Sequence, residues 1–445
     1  MGELFGTDGI RGIAGQYPVN EDVGRKLGPS MVEYCKARNI APVIVIGRDT
    51  RESGEMLEHA LVEGVLSAGG SVKLVGVIPT PGVAYLTREL GGGAGIVLSA
   101  SHNPHEYNGF KVFSNEGFKL SEDEETEVEA MILKEIDSLS YVDRGEPEII
   151  QDADDRYLSF LIKSVTENIN DMNIVIDCAN GATFRIAPAL FKRLGVKAGA
   201  IFIGPDGKNI NKDCGSQHTE ALSLKVLEKQ ADLGLAFDGD GDRLMAVDEK
   251  GKKLTGDQVL TICAKMLQDR GELENSIVVS TVMSNMGLRS ALKAFGIEHV
   301  ATGVGDRYVM EEMKKHGSSL GGEDSGHIIF SHYHTTGDGI ISALQLMSAI
   351  KMSNKPLSEL ASLMTIYPQT LVNVPVNIKP DISQVPELLT VIKEAENGLG
   401  EDGRILVRYS GTEPLCRVMV EGKRQEDIEN YARRIADAVA KHLNT

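Results

Sequence analysis

The sequence predicts an α/β protein: three related α/β domains with mixed, mostly parallel sheets, followed by a smaller C-terminal α+β domain. Two observations support this prediction. A strand–helix–glycine–strand pattern occurs three times, and after about residue 367 it gives way to a stretch that alternates apolar and polar residues. A length of 445 residues also suits several domains, since a domain typically has about 150 residues.

Each repeat opens with a short apolar, β-branched run, which is typical of strands that are buried on both faces. These runs are PVIVIGRD (42–49), NIVIDCANG (173–181) and SIVVSTVMS (276–284). A helix-like stretch closed by glycine follows each run, and a second strand comes next, within AGGSVKLVGVIPTP, LGVKAGAIFIGPDG and FGIEHVATGVGD. Glycine just past a helix end is an expected stop. The repeat therefore predicts three related domains.

The C-terminal part has a different pattern. TLVNVPVNI alternates apolar and polar residues, and RILVRYSGT and LCRVMVEG indicate two more strands. EDIENYARRIADAVAKHL predicts an amphipathic helix with acids first and bases last, as the helix dipole favours. We place the four domains at residues 1–153, 154–253, 254–367 and 368–445.

Composition excludes several functional classes. The net charge is −18, there is no Trp and aromatic residues make up 5%, which argues against nucleic-acid binding. No stretch approaches the roughly 20 apolar residues of a membrane span. The five cysteines are scattered and odd in number, and the N-terminus lacks an apolar signal core, so we expect reduced thiols and a cytoplasmic protein.

The stretch AFDGDGDRLMAVDE (236–249) predicts a metal site. Asp238, Asp240 and Asp242 alternate with glycine, so several carboxylates can converge, and they repel each other unless a cation lies between them. Carboxylate oxygens suit Mg²⁺ or Ca²⁺. Glu249 is at the twelfth position of an EF-hand loop, but Arg243 replaces the glycine of the sixth, and both flanks read as strands. A Mg²⁺ loop between two strands is favoured; a solvated acidic turn is the alternative.

The stretch SASHNPHEYNGFKVF (99–113) concentrates nucleophiles and donors after a strand-like run. Open α/β sheets place their sites at the carboxyl ends of strands, where Ser101 is expected. A phosphorylated Ser101 could complete the Mg²⁺ shell, and Lys111 could offset phosphate charge or move a proton. The alternative is a polar turn rich in Asn and His.

Three further stretches have both a functional and an ordinary interpretation. RYSGTEPLCR (408–417) can hold an anion through Arg408 and its hydroxyl and backbone donors, or can be a simple hairpin turn. GGEDSGHIIF (321–330) places Glu323 and Ser325 where they suit sugar hydroxyls, while His327 can carry protons or be a satisfied, partly buried histidine. GTDGIRG (6–12) provides one more arginine, Arg11, on a glycine-rich turn, or is a simple N-terminal turn.

Together these stretches resemble the α-D-phosphohexomutase superfamily. SASHNPHEYNGFKVF, FDGDGDR, GGEDSGH and RYSGTEP occur in the order of that superfamily, and GTDGIRG and TTGDG fit as well. The resemblance covers essentially the whole chain. FGTDGIRG, INKDCGSQHTEAL, TTGDGIISALQ and MTIYPQTLVNVPV are most similar to the bacterial branch that acts on glucosamine phosphates. The superfamily implies four domains around a central cleft.

The resemblance implies a role for each matching residue. Ser101 would be the phosphoserine and, with Asp238, Asp240 and Asp242, would hold Mg²⁺. The implied charge-stabilising and proton-transfer residues are Lys111, Arg11 and His327, to which we add His102; which of them is the base stays open. The expected substrate-binding residues are Arg243, Glu323, Asp324, Ser325, Arg408, Ser410, Gly411, Thr412 and Arg417.

The implied reaction consists of two phosphoryl transfers. Phosphoserine 101 donates its phosphoryl group to a sugar monophosphate. The resulting sugar bisphosphate reorients in the cleft, and its other phosphate is then transferred back to Ser101. The implied substrates are glucosamine 6-phosphate and glucosamine 1-phosphate. A sugar bisphosphate is the expected activator, and a homodimer is plausible by analogy.

One residue departs from the pattern of the branch. Asp324 stands where the aminosugar enzymes commonly carry Gln. It could attract a 2-ammonium group, mark another sugar preference or only face solvent. We therefore keep the glucose and mannose phosphomutases as the alternative. A phosphatase, or a non-catalytic phosphosugar- or calcium-binding protein, is a more distant one.

Overall fold

The computed structural model describes residues 2–6, 8–134, 145–400, 403–410 and 414–443. The chain divides into two compact units. The first consists of Met1–Met283 and Phe295–Leu363, and the second of Ser284–Ala294 and Met364–Thr445.

The first sheet has seven strands in the order β1–β2–β6–β5–β3–β4–β7. The strands are β1 (Phe5–Gly6), β2 (Gly9–Ile13), β3 (Val43–Arg48), β4 (Ser71–Val77), β5 (Ala94–Leu98), β6 (Tyr107–Ser114) and β7 (Glu148–Ile149). The accompanying helices are α1 (Glu21–Ala37), α2 (Gly54–Ser67), α3 (Thr80–Glu89), α4 (Glu122–Leu133) and α5 (Ala153–Ile162). Strand β3 pairs in parallel with β4 and β5, whereas β6 runs antiparallel to β5 and β2.

The second and third sheets each have four strands, ordered β11–β10–β8–β9 and β13–β12–β14–β15. The second contains β8 (Asn173–Asp177), β9 (Lys197–Ile201), β10 (Leu233–Phe237) and β11 (Leu244–Asp248), with α6 (Thr183–Arg193) and α7 (Glu220–Lys229). The third contains β12 (Ile277–Thr281), β13 (Glu298–Thr302), β14 (Leu320–Gly322) and β15 (Ile328–Phe330). The helices of this stretch are α8 (Gly256–Arg270), α9 (Met286–Ala294), α10 (Asp306–His316), α11 (Gly339–Ser353) and α12 (Leu357–Ala361). In each sheet one antiparallel pair is added to a parallel core.

The predicted strand–helix–glycine–strand repeat is confirmed in all three sheets. Its two strands are β3 and β4, then β8 and β9, then β12 and β13, and each pair is parallel. The glycines that end the intervening helices, Gly69, Gly195 and Gly296, have positive φ values of 81°, 72° and 72°. Glycine adopts this left-handed backbone without a steric penalty, and it closes each helix where the sequence predicts.

The second unit carries the predicted α+β domain. Its antiparallel sheet has the order β16–β18–β17 and is formed by β16 (Gln369–Pro375), β17 (Gly403–Tyr409) and β18 (Leu415–Gly422). Helices α13 (Pro386–Leu399) and α14 (Gln425–Leu443) complete it. Val418 and Val420 of β18 share a buried core with Ile428, Ile435 and Val439 of α14, so the predicted amphipathic helix has its apolar face on the sheet.

The α/β fold class with a C-terminal α+β domain is thus confirmed. The four domain boundaries and the central cleft stay predictions. Within the part of the chain that the structure describes, we find no helix that is long and apolar enough to cross a membrane.

Candidate active site

Ser101 lies in the loop between β5 and β6, and its side chain is buried. Its hydroxyl donates a hydrogen bond to Oδ2 of Asp238 at 2.6 Å. The backbone N–H of Ser101 donates to the Ser99 hydroxyl at 3.0 Å, and His102 Nδ1 is 3.3 Å from the Ser101 hydroxyl oxygen. Ser101 is therefore held beside the predicted metal loop, although 137 positions separate it from Asp238 in the chain.

The aspartates of FDGDGDR lie in the turn of the β10–β11 hairpin, as the Mg²⁺-loop interpretation requires. Asp238, Asp240 and Asp242 are buried, and each offers one carboxylate oxygen within 4.8 Å of those of the others. Oδ1 of Asp240 and Oδ1 of Asp242 are buried and have no hydrogen-bond partner among the residues that the structure describes. Buried carboxylate oxygens that lack a donor are costly, and a hard cation is the kind of partner that satisfies them. The residues present therefore fit a divalent metal ion.

The EF-hand alternative fails in the structure. Glu249, the residue at the twelfth position, accepts a hydrogen bond from the backbone N–H of Ser358 at 3.1 Å, and the Ser358 hydroxyl donates to the same carboxylate. The stretch between Asp238 and Glu249 also contains strand β11 rather than a continuous loop.

The pKa values of Asp238 and Asp242 are shifted in opposite directions. Burial raises the pKa of Asp238 well above its ordinary value, and the neighbouring charges of Asp242 and Asp240 raise it further. Burial alone would raise the pKa of Asp242 as well, but the cationic Lys111 and the contact with His327 bring it well below its ordinary value. The site thus concentrates negative charge that needs a positive partner.

Lys111 on β6 supplies part of that positive charge. Its Nζ donates to Oδ2 of Asp240 at 2.7 Å and to Oδ2 of Asp242 at 3.0 Å, and lies 3.4 Å from Oδ2 of Asp8. Burial alone would lower the pKa of Lys111, but these three carboxylates raise it well above its ordinary value. Lys111 is therefore held as an ammonium ion, which favours charge stabilisation over proton acceptance as its role.

Arg11 on β2 lies at the edge of this cluster. Its Nε donates to the backbone oxygen of Asp8 at 3.2 Å, and its Nη2 donates to the Asp8 carboxylate. Its side chain is 23% exposed, whereas that of Lys111 is 1% exposed. Burial alone would raise the pKa of Asp8, but Arg11, Lys111 and Lys119 lower it well below its ordinary value.

The two histidines have different surroundings. Burial lowers the pKa of His102 to about 4, with the cationic Arg243 and Arg11 acting in the same direction, so its neutral form is favoured. His327 is buried, and its Nε2 accepts from the backbone N–H of Gly337 at 3.1 Å. Its Nδ1 lies 3.7 Å from Oδ2 of Asp242. His327 thus joins the cluster through Asp242.

The GGEDSGH stretch forms the tight turn between β14 and β15. The backbone N–H of Gly326 donates to the carbonyl of Glu323 at 3.0 Å, and Glu323 Oε1 accepts from the backbone N–H of Gly305 at 3.2 Å. Within the described part of the chain, the Ser325 hydroxyl oxygen is buried without a hydrogen-bond partner, so it is able to bond a ligand hydroxyl.

Asp324 has a structural partner that the sequence did not reveal. Its Oδ1 accepts from the backbone N–H of Asp257 at 3.2 Å, and its carbonyl oxygen accepts from that of Gly256 at 3.1 Å. Both donors belong to the first turn of α8, whose positive dipole end favours a carboxylate. Its predicted interaction with a sugar ammonium group stays a prediction.

Arg243 follows the aspartate turn and lies against it. Its backbone N–H donates to Oδ1 of Asp238 at 3.1 Å, and its Nε lies 3.8 Å from Oδ1 of Asp242. The predicted substrate contact of Arg243 stays a prediction.

The predicted phosphate-binding residues belong to the second unit. Arg408 on β17 and Arg417 on β18 are directly opposite each other in the antiparallel register. Burial and the charge of Arg417 lower the pKa of Arg408, because both disfavour a second positive charge. Ser410 is buried, and its backbone N–H donates to the carbonyl of Leu415 at 2.8 Å. Gly411 and Thr412 lie outside the described residues.

Three charged residues that sequence reasoning did not single out belong to the same network. Lys119 donates to the carboxylates of Asp8 and Asp306, and Oδ2 of Asp306 lies 3.4 Å from Nε2 of His327. Asp8 stands within GTDGIRG, and Asp306 follows β13 in a glycine-containing stretch. A polar residue just after a strand is the signal that could have found Asp306.

Four domain models of one family match almost the whole chain. They describe the α/β/α domains I, II and III and the C-terminal domain of phosphoglucomutase/phosphomannomutase, and they match residues 2–138, 155–251, 255–367 and 371–438. The chain belongs to the phosphoglucomutase/phosphomannomutase family. The superfamily resemblance of the motifs is therefore confirmed.

Full-length relatives within the phosphoglucomutase/phosphomannomutase family are named phosphoglucosamine mutase. That of Syntrophus aciditrophicus strain SB is 52% identical over 448 residues and covers 100% of both chains. That of Anoxybacillus flavithermus strain DSM 21510 / WK1 is 51% identical over 445 residues and covers 99% of each.

Solved structures of the family share the fold. A phosphoglucomutase/phosphomannomutase family protein from Burkholderia thailandensis has a TM-score of 0.79 at 24% identity and covers 99% of each chain. N-acetylphosphoglucosamine mutase of Aspergillus fumigatus, solved with GlcNAc-6P and magnesium, has a TM-score of 0.71 at 17% identity. The match covers 98% of this chain and 95% of the fungal one.

Proposed function

We propose that this protein is a phosphoglucosamine mutase, which interconverts glucosamine 6-phosphate and glucosamine 1-phosphate through a phosphoserine at position 101. The observation that carries the proposal is the 2.6 Å contact between the buried Ser101 hydroxyl and Asp238. Beside it lie two carboxylate oxygens that have no hydrogen-bond partner among the described residues. Relatives of that name at about 50% identity over the full length support the choice of sugar.

The proposed metal ion is Mg²⁺. Asp238, Asp240, Asp242 and a phosphate oxygen on Ser101 would hold it, and it would offset the charge of the phosphoryl group in transfer. This assignment rests on the chemistry of the donor set, because three carboxylates and a phosphate are all hard oxygen ligands.

The chain's own residues supply positioning and charge. In the first transfer, a sugar hydroxyl oxygen forms a bond to the phosphorus of phosphoserine 101, the bond from phosphorus to the serine oxygen breaks, and the hydroxyl proton leaves to a base. Lys111, as an ammonium ion, offsets the charge on the phosphoryl oxygens. His102 and His327 are the proposed proton carriers. The positive charge of Arg11 would help to offset the charge of the phosphoryl group.

The second transfer reverses these roles. The Ser101 oxygen forms a bond to the phosphorus of the other sugar phosphate, the bond from that phosphorus to the sugar oxygen breaks, and the serine hydroxyl proton leaves to a base. Glu323 and Ser325 would bind sugar hydroxyls, with Arg243 and Asp324 nearby in the proposed site. The proposed residues for the distal phosphate are Arg408, Ser410, Gly411, Thr412 and Arg417. A sugar bisphosphate would load Ser101, while the homodimer and the cytoplasmic location stay predictions.

The first experiment compares kcat/KM for the phosphorylated, Mg²⁺-loaded protein on glucosamine, glucose and mannose 6-phosphates. We expect glucosamine to be favoured by about a hundredfold, which corresponds to about 2.7 kcal/mol of transition-state discrimination. Similar values for glucose or mannose would contradict the aminosugar assignment and support the glucose or mannose alternative.

A second experiment tests the phosphoserine. Ser101→Ala is expected to abolish turnover, because it removes the oxygen that carries the phosphoryl group, and the thermal midpoint of the variant is the control for folding. A variant that still interconverts the two phosphates would refute the proposed mechanism. If the wild type itself binds phosphosugars without turnover, the chain is a non-catalytic binding protein.

A further inference from the structure

The backbone of Ser101 has an unusual conformation. Its φ is +54°, in the left-handed region that serine seldom adopts. The proposed phosphoserine loop, residues 99–106, therefore needs contacts that stabilise this conformation. Residues held in such conformations are common where function requires a fixed side-chain direction.

Arg51 provides the first set of contacts. Its side chain is fully buried and donates to the carbonyls of Ser101 at 3.0 Å, Asn103 at 2.8 Å and Tyr107 at 3.0 Å, and also to that of Pro104. Asp49 holds the other side of the guanidinium, since its Oδ2 accepts from Nε at 2.9 Å.

The same Asp49 connects Arg51 to the amide of Ser101. Its Oδ2 accepts from the Ser99 hydroxyl at 2.5 Å, and the Ser99 oxygen accepts from the backbone N–H of Ser101 at 3.0 Å. Both backbone polar groups of Ser101 are therefore connected to the Asp49–Arg51 pair.

Asn211 provides a second set of contacts from the stretch that follows β9. Its Nδ2 donates to the carbonyl of Ser101 at 2.9 Å and to that of Asn103 at 3.0 Å, the two carbonyls that Arg51 Nη2 also binds. Its own backbone has a φ of +59°, which asparagine tolerates better than most residues. Its backbone N–H donates to the carbonyl of Ala179 at 2.9 Å.

Gly239 allows this close approach. A Cβ at this position would lie 2.6 Å from the carbonyl oxygen of Ser101 and 2.7 Å from Nδ2 of Asn211. The glycine between Asp238 and Asp240 thus makes room for the contact. Asn211 stands in INKDCGSQHTEAL, a stretch to which the proposed reaction gives no role.

We infer that Arg51 and Asn211 are positioning residues that clamp the carbonyls of Ser101 and Asn103 and so direct the Ser101 hydroxyl towards Asp238. The catalytic consequence rests on the proposed function, because it requires Ser101 to be the phosphorylated residue. The clamp itself does not, because it is a property of the loop. A nucleophile displaced by about 1 Å can lose about a hundredfold in rate.

Asn211→Asp tests the positioning role of Asn211 most directly. Aspartate keeps the shape of the side chain and tolerates positive φ, but it replaces the two donors with an oxygen that faces two carbonyl oxygens. Asn209→Asp is the matched control, because it adds the same charge two residues away. The Asn209 side chain bonds within its own turn, to Gly204 and Asp206.

The first readout is amide hydrogen exchange in the peptide covering residues 99–107, measured on the full chain without substrate. The N–H groups of Ser101, Asn103 and Tyr107 are bonded within this loop, so loosening the clamp exposes them. We expect exchange to be at least about tenfold faster in Asn211→Asp and unchanged in Asn209→Asp. Equal exchange in the wild type and Asn211→Asp would overturn the clamp.

The second readout is steady-state turnover of glucosamine 6-phosphate. We expect kcat to fall by about tenfold to a hundredfold in Asn211→Asp with KM unchanged, because the residue positions the nucleophile rather than the sugar. Asn209→Asp should retain the wild-type kcat. A raised KM with unchanged kcat would overturn the positioning role.

The two proposals fail in different ways. A wild type without mutase activity contradicts the proposed function, while the exchange experiment still tests the clamp. If Asn211→Asp does not fold, Asn211→Gly removes the same donors without backbone strain and gives the same two readouts.

Discussion

At the residue scale, the carboxylates around Ser101 differ in burial and in partners. Asp240 is fully buried, and its Oδ2 accepts from the Thr80 hydroxyl at 2.6 Å and from Lys111 Nζ at 2.7 Å. Arg11 is partly exposed and pairs with Asp8. Asp240 is therefore connected directly to the proposed metal site, whereas Arg11 acts through its charge from the edge.

This difference predicts a ranking of two variants. We expect Asp240→Ala to lower kcat by about a thousandfold and Arg11→Ala by about tenfold, since buried charges at the reacting centre contribute more than peripheral ones. Steady-state kinetics at saturating Mg²⁺, with thermal midpoints of both variants as the control for folding, test this. Comparable losses would refute the ranking.

At the element scale, the start of α8 is held by side chains from two directions. Thr255 and Gln258 form a reciprocal capping box, and Asp324 adds a carboxylate at the backbone N–H of Asp257. The sequence predicts that Asp324 lies at the sugar, and the structure adds this contact with the helix.

Asp324→Asn separates these two roles. Asparagine keeps an acceptor oxygen but removes the charge at the helix N-terminus, so we expect the free energy of unfolding to fall by about 0.3–1 kcal/mol. The ratio of kcat/KM for glucosamine 6-phosphate over glucose 6-phosphate should fall as well where the carboxylate also attracts the sugar ammonium group. It should stay within about twofold of wild type where the helix contact is the only role of Asp324. A fall in that ratio without loss of stability would instead support attraction of a sugar ammonium group.

At the scale of the whole molecule, stability should depend on pH through buried His334. Burial lowers the pKa of His334 to about 4, and the charge of Arg88 acts in the same direction, although the Pro81 carbonyl raises it. His334 Nε2 donates to that carbonyl at 2.9 Å, and Nδ1 accepts from the backbone N–H of Thr335 at 2.7 Å. The neutral imidazole is thus part of the packed interior.

The sign of the effect follows from proton binding. Between pH 6.5 and 4 the unfolded chain binds a proton on His334 that the folded chain does not, so stability falls as the pH falls through this window. We expect this residue to account for about 2–3 kcal/mol of the loss.

Denaturant unfolding at pH 7 and pH 4.5 measures this contribution. His334→Gln should reduce the pH-dependent loss, whereas His59→Gln, at a side chain that is 74% exposed, should leave it unchanged. An equal loss in the wild type and His334→Gln would mean that other groups cause the pH dependence.

Features that depend on neighbouring residues in the chain could be predicted from the sequence. The strands, the glycine stops and the aspartate turn are local patterns, because backbone sterics and side-chain alternation act over a few residues. For Asp238, Asp240 and Asp242, the spacing alone predicted that the carboxylates converge, and the β10–β11 hairpin brings them together.

Contacts between residues that are far apart in the chain could not be predicted from the sequence. The contact of Arg51 with the Ser101 loop, that of Asn211 from the stretch after β9, and the helix contact of Asp324 join residues 50, 110 and 67 positions apart. The fold class, the family motifs and the residue types of the site follow from local sequence patterns. The partner of each charge was decided by packing between elements, because side chains distant in sequence meet only when their strands and helices share one core.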